Sequence, residues 1–509
     1  MKKLLTAILG VGLCLSMVGC KKGKQAKTKT SIDIPTENDE YSTNYTPIVS
    51  ETLPRIDINV VESKLPEGQG PMDFVTVPNR DNKWDYTECK VTVKDGDETT
   101  IDAKTAGVKV RGNYTTYYDK KPLRIKFDKK QSMLGLNNDT AYKNWLLTAE
   151  YKDWSISRNG TAFYLAHLMS DDYASDFRLV NVYINGTYWG VYLLCEQQEV
   201  KEGRIDIAEP QKLEDDTYYT GTDIGYFLEF DGYYYEEDSL QQFTVKYDGL
   251  VNPNDKRIFT DFQKGFTIKS DIYSNEQHDF AQSYMQNVWN ICYKAIIKHE
   301  YYSFNSAYTS IEIDNTLTNS YETINKIIDV DSLVNTYLLA DIACDTDVSW
   351  SSFFMDVDFS ETGSKKLKFE APWDYDSSFG NTYGCISGEG AYASNINMDA
   401  THKEAANPWY MLFYSEEWFR VLVKNKFNSM KDNGAFTKVI EFINTLATKY
   451  EADFVANYAK WGNCGHEEYT GNEQCDESAA CKTQKESAEY LVKWLNKRID
   501  GLDKLYNGK

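Results

Sequence analysis

The feature that most constrains this chain is a change of hydrophobic period along it. Between Leu53 and Phe127 apolar residues alternate with polar ones in "RIDINVV", "CKVTVKD", "AGVKVRG" and "PLRIKFD". In the last of these Leu123, Ile125 and Phe127 share one face, and Arg124, Lys126 and Asp128 share the other. A period of two bounded by turn residues specifies half-buried strands. Farther on, Asn185-Gly186 in "LVNVYINGTYWGVYLLCEQ" is the strongest short hairpin signal, since both central residues of a type I′ turn need positive φ. A helix is expected from Asp153 or Ser155 through "KDWSISRNGTAFYLAHLM", weakened by Gly160. Residues 201 to 275 are acidic and tyrosine-rich, with strands expected at "GYFLEFD" and "FTVKYD". After residue 276 the period becomes helical. "DVDSLVNTYLLADIA" reads as an amphipathic helix with acids in its first turn, and "EEWFRVLVKNKF", "FTKVIEFINTLATKY" and "SAEYLVKWLNKRIDGLDKLY" follow. The fold class is therefore α+β, strands first and helices after.

With 509 residues, 41% of them hydrophobic, the chain can bury a large core. A net charge of −22 argues against a nucleic-acid partner, which calls for clustered Lys and Arg. "MKKLLTAILGVGLCLSMVGC" has two lysines, an apolar run too short for a comfortable membrane span, and Gly19 before Cys20. It resembles a bacterial lipoprotein signal, which implies lipidation at Cys20 and a membrane-anchored protein on the extracellular face. The expected organisation is a signal at 1–20, a polar tether at 21–52 and one domain over 53–509. Within that domain, 53–200 is β-rich, 201–275 is variable and 276–509 is helical. Cys464, Cys475 and Cys481 lack zinc-finger spacing, so a disulfide is the better expectation for them than a metal site.

One constellation carries chemistry. Strands expected at "SFFMDVD" and "KKLKFEA" form a hairpin from Ser352 to Ala371. The acidic loop "CDTDVSW" precedes it and "EAPWDYDSSFG" follows it. Neighbouring strand ends lie about 5 Å apart, so Asp345 or Asp347 comes close to Asp374 and Asp376. Carboxylates gathered this way repel one another and call for a shared proton or a cation, a need that a divalent ion with oxygen ligands meets. Taken singly these residues have blander readings: Lys126 on an edge strand, Arg111 bracing a turn, and the aspartates capping one. Their joint occurrence, in order, is what raises them above that.

The stretches "VKVRGNYTTYYDKKPLRIKFDKK", "KNWLLTAEYKDWSISRNGTAFYLAHLM", "NVYINGTYWGVYLLCEQQEVKEGRIDI", "GYFLEF" and "EAPWDYDSSFGN" resemble, in order, the spore coat protein H (CotH) kinase-like family. The resemblance implies an atypical bilobed protein-kinase-like fold, with a β-rich N-terminal lobe holding the nucleotide cleft and a mainly helical C-terminal lobe. It implies ATP and Mg or Mn as cofactors, and transfer of the γ-phosphate to Ser/Thr of a surface or coat protein. By position, Lys126 is the phosphate-binding lysine, Arg111 and Arg124 line the same cleft, and Glu196 marks the nucleotide hinge. Arg158 either pairs with an acid or touches phosphate. Asp347 is the first candidate for the catalytic base and Asp345 the second, while Asp374 and Asp376 are the metal ligands. Ser352 departs from the pattern, standing where kinases carry a metal-binding asparagine. Two other readings stay open: a non-catalytic surface or scaffold module with the same fold, and a carbohydrate-acting enzyme using paired acids.

Overall fold

The computed structural model describes residues 44–247, 264–385, 390–394 and 407–508. These belong to one compact unit, Thr36–Lys509. The proposed signal and its Cys20 lie outside the described residues, as does most of the tether. Residues 44–52 already pack on the body. Tyr45 stacks on His167 at 3.8 Å between ring centres, and the Ser50 carbonyl accepts from the Tyr450 hydroxyl at 2.7 Å.

The first part is a closed seven-stranded barrel in the order β1-β2-β3-β4-β5-β7-β6. Its strands are β1 (Arg55–Val60), β2 (Thr87–Asp95), β3 (Glu98–Val110), β4 (Leu123–Gln131), β5 (Tyr142–Thr148), β6 (Phe177–Ile184) and β7 (Thr187–Glu196). A one-turn helix, α1 (Asp73–Thr76), lies between β1 and β2. Alternation places Leu123, Ile125 and Phe127 in the core and leaves Arg124 half-buried and Lys126 exposed. The β6–β7 hairpin turns on Asn185 (φ 48°) and Gly186 (φ 77°), as the type I′ signal requires. The parallel pairing of β1 with β6 that closes the barrel was not foreseen. It joins strands more than a hundred residues apart, and no turn signal announces it.

Between β5 and β6 runs α2 (Arg158–Leu168). Gly160 has a packing role here, because a Cβ would stand 3.0 Å from the Phe177 ring. A second sheet has the order β14-β13-β8-β10-β9. Its members are β8 (Gly225–Asp231), β9 (Gln242–Phe243), β10 (Gly265–Ile268), β13 (Phe353–Asp358) and β14 (Lys368–Phe369), with a small β11–β12 pair (Tyr302–Phe304 and Ile311–Ile313) elsewhere. The strand expected over "FTVKYD" is confined to Phe243, the described residues after it being irregular. The hairpin expected from Ser352 to Ala371 is the β13–β14 pair, with Met355 opposite Phe369.

The helices are α3 (Asn275–Tyr293), α4 (Ser320–Asn325), α5 (Val330–Ala343), α6 (Pro408–Tyr414), α7 (Glu417–Asp432), α8 (Ala435–Lys449), α9 (Glu451–Trp461), α10 (Asp476–Ala479) and α11 (Gln484–Asn507). Helix α5 departs from its amphipathic expectation. Only Asp331 is exposed on it, and the rest is buried beneath α7, α2 and α11. It starts at a side-chain cap in which Asp329 accepts from the Ser332 amide at 3.0 Å. The fold is thus mixed α and β, a barrel followed by a sheet embedded among helices. Because α5 ends at Ala343, just before the acidic loop, the site rests on a rigid support.

Candidate active site

The acids come together where α5, the β13–β14 hairpin and the turn before α2 meet. The Asp345 carboxylate is buried and accepts from the Asp347 amide at 3.0 Å and from Ser378 Oγ at 3.3 Å. Burial and the Asp374 charge push it up to about 7. Asp347 is half-buried, and burial with the charges of Asp345 and Asp376 pushes it to about 7 as well. Asp374 is raised well above the carboxylate range by burial, Asp376 and Asp347, against the pull of Arg111 and Lys152. Asp376 is buried and raised, burial outweighing the Lys152 charge. The four aspartates therefore act on one another across nearly thirty residues of sequence.

Their loops are held in strained backbone. Glu150, Cys344, Ser352, Ala371, Asp374 and Phe379 all have positive φ, at 48°, 47°, 60°, 62°, 69° and 49°. Such conformations persist only where the surroundings over-determine them, and they gather at functional sites. The surroundings here are specific. The Tyr375 amide, next to Asp374, donates to Asn159 Oδ1 at 2.8 Å, and Asn159 Nδ2 in turn donates to Glu150 at 3.1 Å. The Phe379 amide donates to the Ala343 carbonyl at 2.7 Å, tying the motif to the end of α5. Asn381 Nδ2 donates to the carbonyls of Asp376 at 2.6 Å and Lys152 at 3.2 Å.

A cationic face on the outside of the barrel reaches the acids through Arg111. Arg111 leaves the end of β3 with its guanidinium 5.2 Å from the centre of the Trp373 ring, and Asp374 acts on it. Arg124 and Lys109 are opposite each other in the β3–β4 register. Lys109, Lys126 and Arg124 surround the Tyr86 ring at 5.0, 5.7 and 6.0 Å. The Nε of Arg124 is buried without a partner.

Two expected residues are engaged elsewhere. Arg158 is fully buried and pairs with Asp153, its Nε donating to the Ser378 carbonyl at 3.2 Å. Of its two expected roles, pairing with an acid is the one its contacts show. Asp153 also accepts from the amides of Ser155, Ser157 and Arg158 at 2.9, 2.9 and 2.7 Å, which fixes the turn into α2. Glu196 ends β7 but is taken up by Arg204 Nε at 2.9 Å and Asn137 Nδ2 at 2.7 Å. Ser352 gives its amide to Glu229 at 3.1 Å.

Sequence reasoning missed Lys152 and Glu473. The Lys152 ammonium pairs with Glu473 and donates to Ser377 Oγ at 2.8 Å, and that hydroxyl donates to Asp376 at 3.2 Å. No local pattern announces a contact between residues 321 apart. The expected disulfide is not formed. Cys464, Cys475 and Cys481 are free, and the Cys475 thiol donates to the Gly380 carbonyl at 3.0 Å.

The donor set suits a hard divalent ion, being carboxylates with hydroxyl and carbonyl oxygens beside them. Among the described residues, no three acidic, His or Cys side chains converge closely enough to cage an ion as they stand. A search of curated proteins finds no match. A family model described as CotH kinase protein matches residues 108–502, which take in the cationic face, the acidic loop and the motif around Asp374. With most of its length matched in this way, the chain belongs to the CotH kinase protein family.

Proposed function

We propose that the chain is an atypical protein kinase, transferring the γ-phosphate of ATP to Ser or Thr of a surface or coat protein with Mg or Mn. On this reading the barrel and the helical part are the two lobes of a kinase-like plan. The observation that carries it is a cationic face joined to an acidic cluster. In a chain of net charge −22, Lys109, Arg111, Arg124 and Lys126 share one face of the barrel, and Arg111 joins that face to four mutually repelling aspartates through Asp374. A metal–polyphosphate needs both: cations to hold phosphate oxygens and carboxylates to hold the ion. When bound, the ion supplies charge neutralisation on the phosphates.

The chain's own residues divide the remaining work. Asp374 and Asp376 hold the ion, and Arg124 and Lys126 orient the phosphates. Arg111, fixed over Trp373 beside Asp374, ties the cationic face to the acids. Asp347 is half-exposed, with its proton affinity raised into the neutral range, which suits a base that orients an acceptor hydroxyl. Asp345, buried behind it and accepting its amide, positions that loop. A glycosidase would leave the cationic face without a purpose.

The test is nucleotide binding and phosphate transfer by the purified protein with Mg or Mn. Wild type labels itself or a Ser-rich acceptor, and Asp374→Asn and Asp347→Asn each abolish labelling. Labelling that survives both substitutions overturns the assignment. Ser352 favours a second reading, a scaffold with an inherited site, and nucleotide binding without any transfer would support it. For location, we infer export and anchoring through a lipid on Cys20. Cys20→Ala then releases the protein from the membrane fraction, and unchanged membrane retention sinks that inference.

A further inference from the structure

The acid cluster already contains a cation of its own. Lys152, on the turn that Asp153 pins ahead of α2, points an almost fully buried side chain, 9% exposed, among the aspartates. Its ammonium links Glu473 to Ser377 Oγ, and through that hydroxyl to the Asp376 carboxylate. Its charge acts on Asp347, Asp374 and Asp376 together. An ammonium buried among several carboxylates meets the electrostatic need that a metal would otherwise meet.

Glu473 comes from a different part of the chain. It lies on the strap between α9 and α11, and that strap is fastened to the segment just after the motif. Gln474 bridges Thr382, and the Cys475 amide donates to the Asn381 carbonyl at 3.0 Å. The Glu473 side chain is 37% exposed, whereas Asp376 is buried. The strap therefore presents a half-exposed carboxylate that pairs with Lys152 and whose charge also reaches Asp347 and Asp376. Among the described residues the aspartates themselves do not converge into a cage.

From this geometry we propose that Lys152 is a resident counter-ion which a divalent metal displaces toward Glu473, so that the Lys152–Glu473 pair sets metal affinity. The inference rests on the metal reading of the aspartates given above. Two positive groups compete for the same carboxylates, and Glu473 gives the ammonium a partner once the metal has the others. Lys152 is a positioning residue in this role. No bond is made or broken by it.

The test is a titration of the purified full chain with Mn²⁺ alone, without nucleotide, read by the loss of the free-ion electron paramagnetic resonance signal. Lys152→Gln binds Mn²⁺ about tenfold tighter or more, because a competing charge a few ångströms away is gone. Glu473→Gln binds several-fold more weakly, since the ammonium has lost its alternative partner. A general loss of negative charge would also weaken binding, so the double variant decides. In the Lys152→Gln background, Glu473→Gln has a much smaller effect, only what its own charge contributes at Asp347 and Asp376. Binding in Lys152→Gln that equals or falls below wild type overturns the proposal. So does a Glu473→Gln effect of the same size in both backgrounds. Glu473→Gln lies at a part-exposed position and keeps the cycle readable if thermal melting shows Lys152→Gln to be unfolded. In that case an unchanged Mn²⁺ affinity in Glu473→Gln overturns the proposal. If Asp374→Asn abolishes binding while Lys152→Gln leaves it unchanged, the metal assignment stands and only the role of Lys152 falls.

Discussion

Gly380 and Gly186 both sit at positive φ, 76° and 77°, yet they constrain the molecule differently. At Gly186 an added Cβ meets nothing within 4 Å, so Ala there costs only the left-handed backbone penalty, about 1 kcal/mol. At Gly380 the same Cβ would lie 2.2 Å from Trp494 Cδ1, on the buried face of α11. That overlap forces a shift in a packed ring or in the loop following Asp374 and Asp376. Gly380→Ala is therefore expected to cost several kcal/mol and to lower nucleotide-dependent labelling in whatever fraction still folds. Urea unfolding of the two variants checks the first part. Equal midpoints would mean that the loop gives way freely, and the rigidity argued for the site would be lost. From the sequence, Gly186 stood out as a turn residue and Gly380 only as part of the motif "EAPWDYDSSFG", and only the fold places Trp494 against it.

At the scale of elements, what the sequence disclosed was local. Strand alternation in "PLRIKFD" and the Asn185-Gly186 turn depend on neighbours a few residues apart, and both are found as expected. The β13–β14 hairpin also follows from local pattern, and with it the approach of the two acidic loops. Elements that depend on distant partners were hidden. Strand β5, "YKNWLLT", alternates poorly because Trp145, Leu146 and Leu147 are all buried, with the barrel core on one face and the rest of the molecule on the other. Helix α5 carries acids in its first turn, which suggested an exposed face, but its neighbours cover all of it except Asp331. The pairing of β1 with β6 and the delivery of Glu473 to Lys152 belong to the same class. The candidate site was thus legible in its acids and cations, whose motifs are short, and illegible in the strap that carries Glu473.

For the whole molecule, the buried carboxyls make stability depend on pH in one direction. On β13 and just after β14, Asp356 and Glu370 are both buried and act on each other. Burial raises Asp356 to about 7 and, with the Asp356 charge, holds Glu370 well above the carboxylate range, although Lys368 lowers both. Burial likewise raises Glu150 to about 8 and Asp171 to about 7. In the unfolded chain these groups titrate near 4. Between that value and the folded one the native state holds more protons than the unfolded state, so stability falls as pH rises. Their contribution is complete below about pH 4 and is lost progressively through pH 7 to 8. The net charge of −22 adds repulsion in the same sense as more acids ionise. The urea midpoint is therefore expected to fall steadily from pH 5 to pH 8.5. Asp356→Asn keeps the shape and a hydrogen-bonding side chain but removes one titrating group, so its midpoint should fall less steeply over that interval. A variant that tracks wild type at every pH would show that Asp356 ionises without cost to the fold. That result would contradict the raised proton affinity that burial gives Asp356.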